Sequence, residues 1–376
     1  MFHLTKTNNR GALAEDRSAS HNFGGNNLKD ITLPELGWQE FFADQQPDTE
    51  FTVGRVILQH KYLYRVVGVD GEFLAEPTGK FTFEATAKKD FPAVGDWVMM
   101  TTYPHEGKAM IHGILERKSA FVRQAARQSG SLKTENQIVA SNVDFVFIVQ
   151  SLNDDFNLRR LERYLLLAYE SKAIPIIILT KRDLCEDLEA KLQAVDLITF
   201  ESIPVIAVDN ISKKGLEDVQ KLITTGTTVA LLGSSGVGKS TLLNALMGTD
   251  VAATGGIRED DSKGRHTTTH RELFMLPNGG LVIDTPGMRE LQLTGDDSML
   301  DSTFGDIEVL IAGCRFNNCM HGNEPGCKIN EALDDGSLDY DRFSSYQKLQ
   351  RELAYQNKRQ RQNEMLQEKR SQKRRK

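Results

Sequence analysis

The segment Gly233-Ser234-Ser235-Gly236-Val237-Gly238-Lys239-Ser240 fits the pattern G-x-x-x-x-G-K-[ST]. Its glycines let backbone N–H groups turn inward on phosphate oxygens, and the helix that Ser240 opens adds the partial positive charge of its N-terminus. In such a loop Lys239 reaches the β- and γ-phosphates and the Ser240 hydroxyl binds Mg²⁺. A second group follows the strand-like run Gly280-Leu-Val-Ile as Asp284-Thr285-Pro286-Gly287. There the Asp284 carboxylate can hold the Mg²⁺ shell, and the Gly287 N–H can meet a γ-phosphate. Many GTPases place a water-orienting Gln after this glycine. This chain has Met288, whose apolar side chain cannot align water, so the catalytic group must come from elsewhere.

A third group is Thr180-Lys181-Arg182-Asp183, at the end of the apolar run Ile174–Leu179. A carboxylate at Asp183 can accept from both N1–H and the exocyclic amine of guanine, and the stem of Lys181 can cover the base plane. Alone, such a loop reads as a solvated turn; beside the phosphate loop and Asp284 it reads as guanine specificity. The fourth group, Cys314-x₄-Cys319-x-His321-x₅-Cys327, gathers three thiols and one imidazole. Four soft ligands without a spare position suit one structural Zn²⁺, and Gly322, Pro325 and Gly326 let the chain bend around it.

The elements that must carry these groups follow from hydrophobic periodicity. Buried-strand runs at Val143–Val149, Ile174–Leu179, Pro204–Val208 and Thr228–Leu232 alternate with helical stretches at Leu158–Lys172, Leu184–Ala194 and Gly215–Ile223. This βαβ rhythm predicts a parallel sheet with helices on both faces. Between about 51 and 120, short β-type runs broken by turns predict a small β-barrel, with the OB and SH3 types both open. Residues 1–30, rich in Asn, Ser and Gly, predict a mobile arm. The guanine-type loop precedes the phosphate loop, the reverse of the order in Ras-like GTPases. Rotating the chain order preserves the three-dimensional site and makes the chain leave it directly after Asp284–Gly287.

With these motifs in this order, and with Gly264-Arg265-His266-Thr267-Thr268-Thr269, the chain resembles the circularly permuted GTPases of small ribosomal subunit assembly, the RsgA family, from about 50 to 345. The resemblance implies an α/β P-loop GTPase fold, circularly permuted, with an N-terminal OB-fold barrel and a C-terminal zinc-binding helical domain. The expected division is 1–50 for an arm, partly disordered; 51–125 for an RNA-binding barrel; 137–295 for the GTPase domain; 296–345 for the zinc domain; and 346–376 for a basic helix or tail. It also extends the phosphate loop over Gly233–Thr241, makes 264–269 the first switch with Thr268 completing the Mg²⁺ shell, and puts His266 in place of the missing Gln. Imidazole can orient or deprotonate water at neutral pH. Two departures stand out: Thr180 where most GTPases have Asn, and Asp209-Asn210 where the family's Ser-Ala would meet the base, a contact left unassigned.

The implied activity is hydrolysis of GTP to GDP and phosphate on the small ribosomal subunit, late in its maturation. A GTP-switched RNA-binding scaffold without hydrolysis is the alternative, and a P-loop ATPase or small-molecule kinase a third reading. The chain's formal charge of −6 over 376 residues first argues against nucleic acid. From Lys358 onward, however, nine basic residues face two acidic ones, a net of +7 that leaves −13 on residues 1–357. RNA contact is therefore expected at local basic surfaces. These are the tail and, on the barrel, Lys61, Arg65, Lys80, Lys88, Lys89, Arg117 and Lys118 with Tyr62, Tyr64 and Phe81. No apolar run reaches the roughly 20 residues of a membrane span and no secretory signal is visible, so a cytoplasmic monomer with no membrane partner is expected.

Overall fold

A computed structural model describes residues 31–45, 50–60, 62–124, 136–200, 202–251, 271–284, 291, 293 and 298–374. Strands β1 (Thr52–His60), β2 (Leu63–Gly68), β3 (Gly71–Pro77), β4 (Trp97–Tyr103) and β5 (Lys108–Ile114) pair in the order β1-β2-β3-β5-β4, and β4 returns to β1. All pairs are antiparallel except β3 with β5. This closed five-stranded path is that of an OB-type barrel and resolves the choice left open by the sequence. Val56, Tyr64, Val66, Phe73, Val98, Met100 and Ile111 fill its interior. At Gly54 any Cβ would lie 2.5 Å from both Met100 Cε and Val66 Cγ1, so only glycine fits beneath that packing.

Two short helices complete the barrel region: α1 (Glu40–Ala43), ahead of it, and α2 (Gly79–Glu84), between β3 and β4. Residues 31–45 fall in the stretch expected as an arm, yet they pack onto the barrel. Leu36 and Phe42 are buried, and Trp38 meets Trp97 edge-on with centroids 4.7 Å apart. Arg55 of β1 fixes this arrangement. Its guanidinium is buried and donates to the carbonyls of Leu36, Gly95 (3.3 Å) and Asn142 (3.0 Å), tying the first segment, the barrel and the chain beyond it together. Burial lowers its pKa to about 10.

After the hairpin of β6 (Ala120–Gln124) and β7 (Asn136–Ser141) the chain builds a parallel sheet. Its strands are β8 (Phe145–Ser151), β9 (Ile174–Thr180), β10 (Val205–Ala207), β11 (Thr228–Leu232) and β13 (Leu281–Asp284), with β12 (Arg271–Met275) antiparallel at its edge. The order β10-β9-β8-β11-β13-β12 reverses direction between β8 and β11. Helices α3 (Leu158–Ser171), α4 (Leu188–Thr199), α5 (Leu216–Leu222) and α6 (Lys239–Met247) connect the strands or follow them. Leu161, Leu165 and Ala168 form the buried stripe of α3; the Asn157 side chain caps it by accepting from Arg160 N at 2.9 Å. Helix α4 begins at Leu188 rather than at the expected Leu184. Arg182–Leu184 form a separate 3₁₀ turn, and Asp187 caps α4 by accepting from Ala190 N at 2.9 Å.

Barrel and parallel sheet share one hydrogen-bonded surface, because the far end of β1 pairs with β12 at Leu58↔Glu272 and Gln59↔Arg271. Beyond β13 come α7 (Ser298–Ala312), α8 (Lys328–Asp334) and the 35-residue α9 (Tyr340–Arg374). Two arginines clamp α9 onto the sheet's helices. Arg342 of α9 is buried and pairs with Glu162 of α3 (2.8 Å) and Asp306 of α7 (2.8 Å). In the opposite direction Arg163 of α3 grips Glu352 of α9 with both guanidinium nitrogens and also donates to the Leu291 carbonyl at 3.4 Å.

Candidate nucleotide and metal sites

In an open parallel sheet, ligands bind beyond the carboxyl ends of the strands at the point where strand order reverses. The loop Gly233–Thr241 leaves β11 at that point, Thr180–Asp183 leaves β9, Asp209-Asn210 follows β10, and Asp284 ends β13. Four segments far apart in sequence thus converge on one edge. Gly233 runs so close to β8 that a Cβ there would stand 2.3 Å from the Val149 carbonyl; Gly236 and Gly238 take φ of 76° and 98°, which side chains rarely tolerate. Lys239 Nζ spans the loop, donating to the carbonyls of Gly233 (2.8 Å) and Ser234 (2.7 Å). Ser240 and Thr241 lie in the first turn of α6, while Ser235 is exposed and Val237 is buried.

Thr180 is fully buried, and its hydroxyl donates to the Val237 carbonyl of the phosphate loop, with the Gln150 carbonyl 3.4 Å away. Lys181 takes a left-handed conformation (φ 57°), and Arg182 N donates to the Val208 carbonyl at 3.2 Å, which leaves Asp183 exposed at the rim. Burial pushes the Asp284 carboxyl above its usual range, and the charge of Lys239 offsets this in part. A carboxylate so placed gains from a nearby cation, the chemistry of a Mg²⁺ ligand. His266, Thr268 and Gly287, with the rest of 264–269 and 285–288, lie outside the described residues.

The four metal-type residues do come together. Cys314 follows α7 and Cys327 precedes α8, and the ligand atoms of Cys314, Cys319, His321 and Cys327 all lie within 4.8 Å of one another. His321 Nδ1 is 3.7 Å from Cys314 Sγ and 3.6 Å from Cys327 Sγ. A tetrahedron with Zn–S of about 2.3 Å and Zn–N of about 2.0 Å has edges of roughly 3.5–3.8 Å, so the donor set fits Zn²⁺. Burial raises the Cys314 thiol, but the backbone N–H groups of Lys328 and Ile329 at the start of α8, with the Cys319 and Cys327 thiols, outweigh it and bring it below its usual value. At Cys319 the His321 backbone N–H lowers the thiol, yet burial and the sulfurs of Cys327 and Cys314 prevail and push it up to about 11. A cation relieves that crowding.

Residues 114–294 match the model of the RsgA GTPase family. A small ribosomal subunit biogenesis GTPase RsgA 2 of Lactiplantibacillus plantarum is 49 % identical over 315 residues, 84 % of this chain and 87 % of that protein. The chain belongs to the RsgA GTPase family. It is a GTPase, a hydrolase of circularly permuted order. A further RsgA 2, from Listeria monocytogenes, is 46 % identical over 325 residues, 86 % of this chain and 90 % of that protein. Among solved structures, YjeQ from Thermotoga maritima aligns with TM-score 0.59 at 25 % identity over 81 % of this chain and 99 % of that one. YloQ, described as a circularly permuted GTPase, aligns with TM-score 0.57 at 25 % identity over 82 % and 97 %.

The barrel surface expected for RNA needs correction. Tyr64 is fully buried in the barrel core and offers no stacking face. Arg117 is committed to Asp96 through two 2.7 Å bonds, Arg65 to Glu72 at 3.0 Å, and Lys118 to Gln39 and Asp144. Lys61 lies outside the described residues. Lys80, which pairs with Glu84 at 4.0 Å, and Lys88 and Lys89 are exposed, around a set of rings in which Phe91 lies 5.3 Å from Tyr62 and 6.1 Å from Phe81. Phe83 beside them is 88 % exposed. Sequence reasoning passed over Phe83 and Phe91, although the interleaving of Phe and Lys from 80 to 91 is the pattern that single-strand binders show.

Proposed function

We propose that this GTPase binds the small ribosomal subunit and its rRNA in its GTP state, acts late in subunit maturation, and hydrolyses GTP to GDP and phosphate while bound. The observation that carries this reading is a convergence at one sheet edge. The phosphate loop, the Thr180–Asp183 loop and Asp284 meet there, on a sheet that continues through β12 into β1 of a barrel with an aromatic and basic face. The relatives' names point to the same partner.

In this reading Asp183 holds the guanine, the backbone of Gly233–Gly238 and Lys239 hold the phosphates, and Ser240, Thr268 and Asp284 are the ligands of Mg²⁺. That ion, when bound, neutralises charge that develops between the β- and γ-phosphates. His266 orients the attacking water and takes up its proton, since Met288 can do neither. The zinc ligands act structurally, holding the turn between α7 and α8. Barrel, zinc region and tail form the docking surface, with the division of the chain given above. The protein acts as a cytoplasmic monomer.

The direct test is sedimentation of the purified protein with small ribosomal subunits in GDP and in a non-hydrolysable GTP analogue. Co-sedimentation that strengthens with the GTP analogue and weakens with salt is the expected result. Equal recovery in both nucleotides would exclude a GTP-controlled docking step.

A further inference from the structure

Near its carboxyl end, strand β8 buries a primary amide. Gln150 is 1 % exposed, its backbone carbonyl lies 3.4 Å from the Thr180 hydroxyl, and neither Oε1 nor Nε2 of its side chain has a hydrogen-bond partner. Its neighbours on the same face of β8, Val146 and Ile148, belong to the apolar core. An apolar residue in this position would avoid the cost of an unmatched amide, so the amide needs an explanation.

Leu232 of β11 pairs with Ile148 of β8, and a Cβ on Gly233 would stand 2.3 Å from the Val149 carbonyl, so the two chains stay in step into the phosphate loop. One residue further, Ser234 comes level with Gln150. Alternation turns both side chains to the face of Ile148 and Leu232, which lie in one core cluster. Ser234 Oγ is likewise shielded from solvent and has no hydrogen-bond partner. The carbonyls of Gly233 and Ser234 receive Lys239 Nζ at 2.8 and 2.7 Å. A group that fixes the Ser234 side chain therefore also fixes the peptides on which the phosphate-binding lysine rests. Amide and hydroxyl are complementary: Nε2 can donate, Oε1 can accept, and the hydroxyl can do either. No direct bond joins them, and a buried water with about three polar partners is the usual link between such groups.

We propose that Gln150 is a positioning residue of the phosphate loop, its side-chain amide bound to the Ser234 hydroxyl through one buried water. The bridge ties the first turn of the loop to β8, so that the Gly233 and Ser234 peptides, and Lys239 with them, are held in place before the phosphates arrive. A loop ordered in advance gives up less entropy on binding. The inference rests on the reading of Gly233–Thr241 as the phosphate loop and adds to it a residue from a strand that carries none of the nucleotide motifs.

The experiment measures GDP and GMP binding to the full-length protein as wild type, Gln150→Met, Ser234→Ala and the double variant. GMP lacks the β-phosphate that the loop and Lys239 hold. Each single variant is expected to weaken GDP about three- to tenfold, the worth of one hydrogen bond, and to leave GMP within about twofold. The double variant is expected to be no weaker than either single one, since both substitutions break the same bridge. Losses that multiply in the double variant, GDP and GMP weakened alike, or GDP unchanged would overturn the proposal. Ser234→Ala removes only a hydroxyl from a half-buried loop position, which keeps the test open should the methionine variant fold poorly. A crystal structure of the GDP complex is expected to hold a water hydrogen-bonded to both side chains, and a complex without it would overturn the bridge. Failure of the phosphate-loop reading shows separately, as Lys239→Ala protein that binds GDP as tightly as the wild type.

Discussion

Replacing Arg342 with Met keeps about the length of the aliphatic stem and removes the guanidinium head with its charge. The consequence centres on Glu162, which is fully shielded from solvent. In the native protein it receives Arg342 at 2.8 Å, Ser345 at 2.7 Å and Arg159, while Arg342 also serves Asp306 and the Thr303 carbonyl and lies over the Phe304 ring at 5.0 Å. Removing one partner of a buried pair costs about 3–5 kcal/mol; with Arg159 still present, we expect about 3. At m-values of roughly 2–3 kcal/mol/M this moves the urea midpoint down by about 1 M.

The sign of the pH dependence follows from Glu162. Burial raises its pKa above the usual value, against the opposing pull of Ser345, Arg159 and Arg342, and loss of Arg342 raises it further. The folded state then holds a proton that the unfolded state, with a pKa of about 4.3, releases first. The stabilising contribution of the protonated carboxyl is full below about pH 4.3 and is lost as pH rises through the folded value, so the deficit of Arg342→Met relative to wild type should be larger at pH 8 than at pH 5.5. Urea unfolding followed by far-UV circular dichroism at both pH values measures it, and Glu162→Gln added to Arg342→Met should recover most of the loss. Equal deficits at the two pH values, a deficit under about 1 kcal/mol, or no recovery in the double variant would refute the reasoning.

Other outcomes follow from the sites. His266→Ala should leave GTP affinity within about twofold and lower subunit-stimulated turnover by about 10²-fold or more, as loss of a general base does; single-turnover hydrolysis on the subunit measures it, and equal loss of binding and turnover would make the residue structural. Zinc removal by a chelator, or Cys327→Ser, should lower the stability of the α7–α8 region and increase its proteolysis while GDP binding persists, with one zinc per chain by atomic absorption in the wild type. Combined Phe83→Ala and Phe91→Ala substitution should weaken single-stranded RNA binding by about 1–3 kcal/mol per lost stack with its salt dependence kept, whereas Lys88→Glu with Lys89→Glu should weaken binding and reduce its salt dependence together.

Much of this architecture was legible because burial on both faces of a parallel sheet forces continuous apolar runs, and β11 lies at the expected Thr228–Leu232. The phosphate loop and the Cys/His cluster were equally legible, since each is local in sequence and its chemistry admits few residue types. The barrel type was not, because the OB and SH3 paths use similar short strands and differ in which strands pair, a long-range fact. Packing of residues 31–45 was hidden for a related reason: Trp38 and Phe42 find their partner at Trp97, on a distant strand. Tyr64 misled because alternation in β2 puts Tyr64 and Val66 inward, and one aromatic in an alternating strand carries no mark of which face it occupies.

The central claim is a guanine-specific hydrolase controlled by the small ribosomal subunit. The most direct measurement is phosphate release from GTP and from ATP, side by side, as purified small subunits are titrated into the full-length protein. Slow release from GTP alone, rising strongly and saturably with subunit while ATP stays uncleaved, is the expected result. A GTP rate that does not change with subunit, or ATP cleaved as readily as GTP, would contradict it.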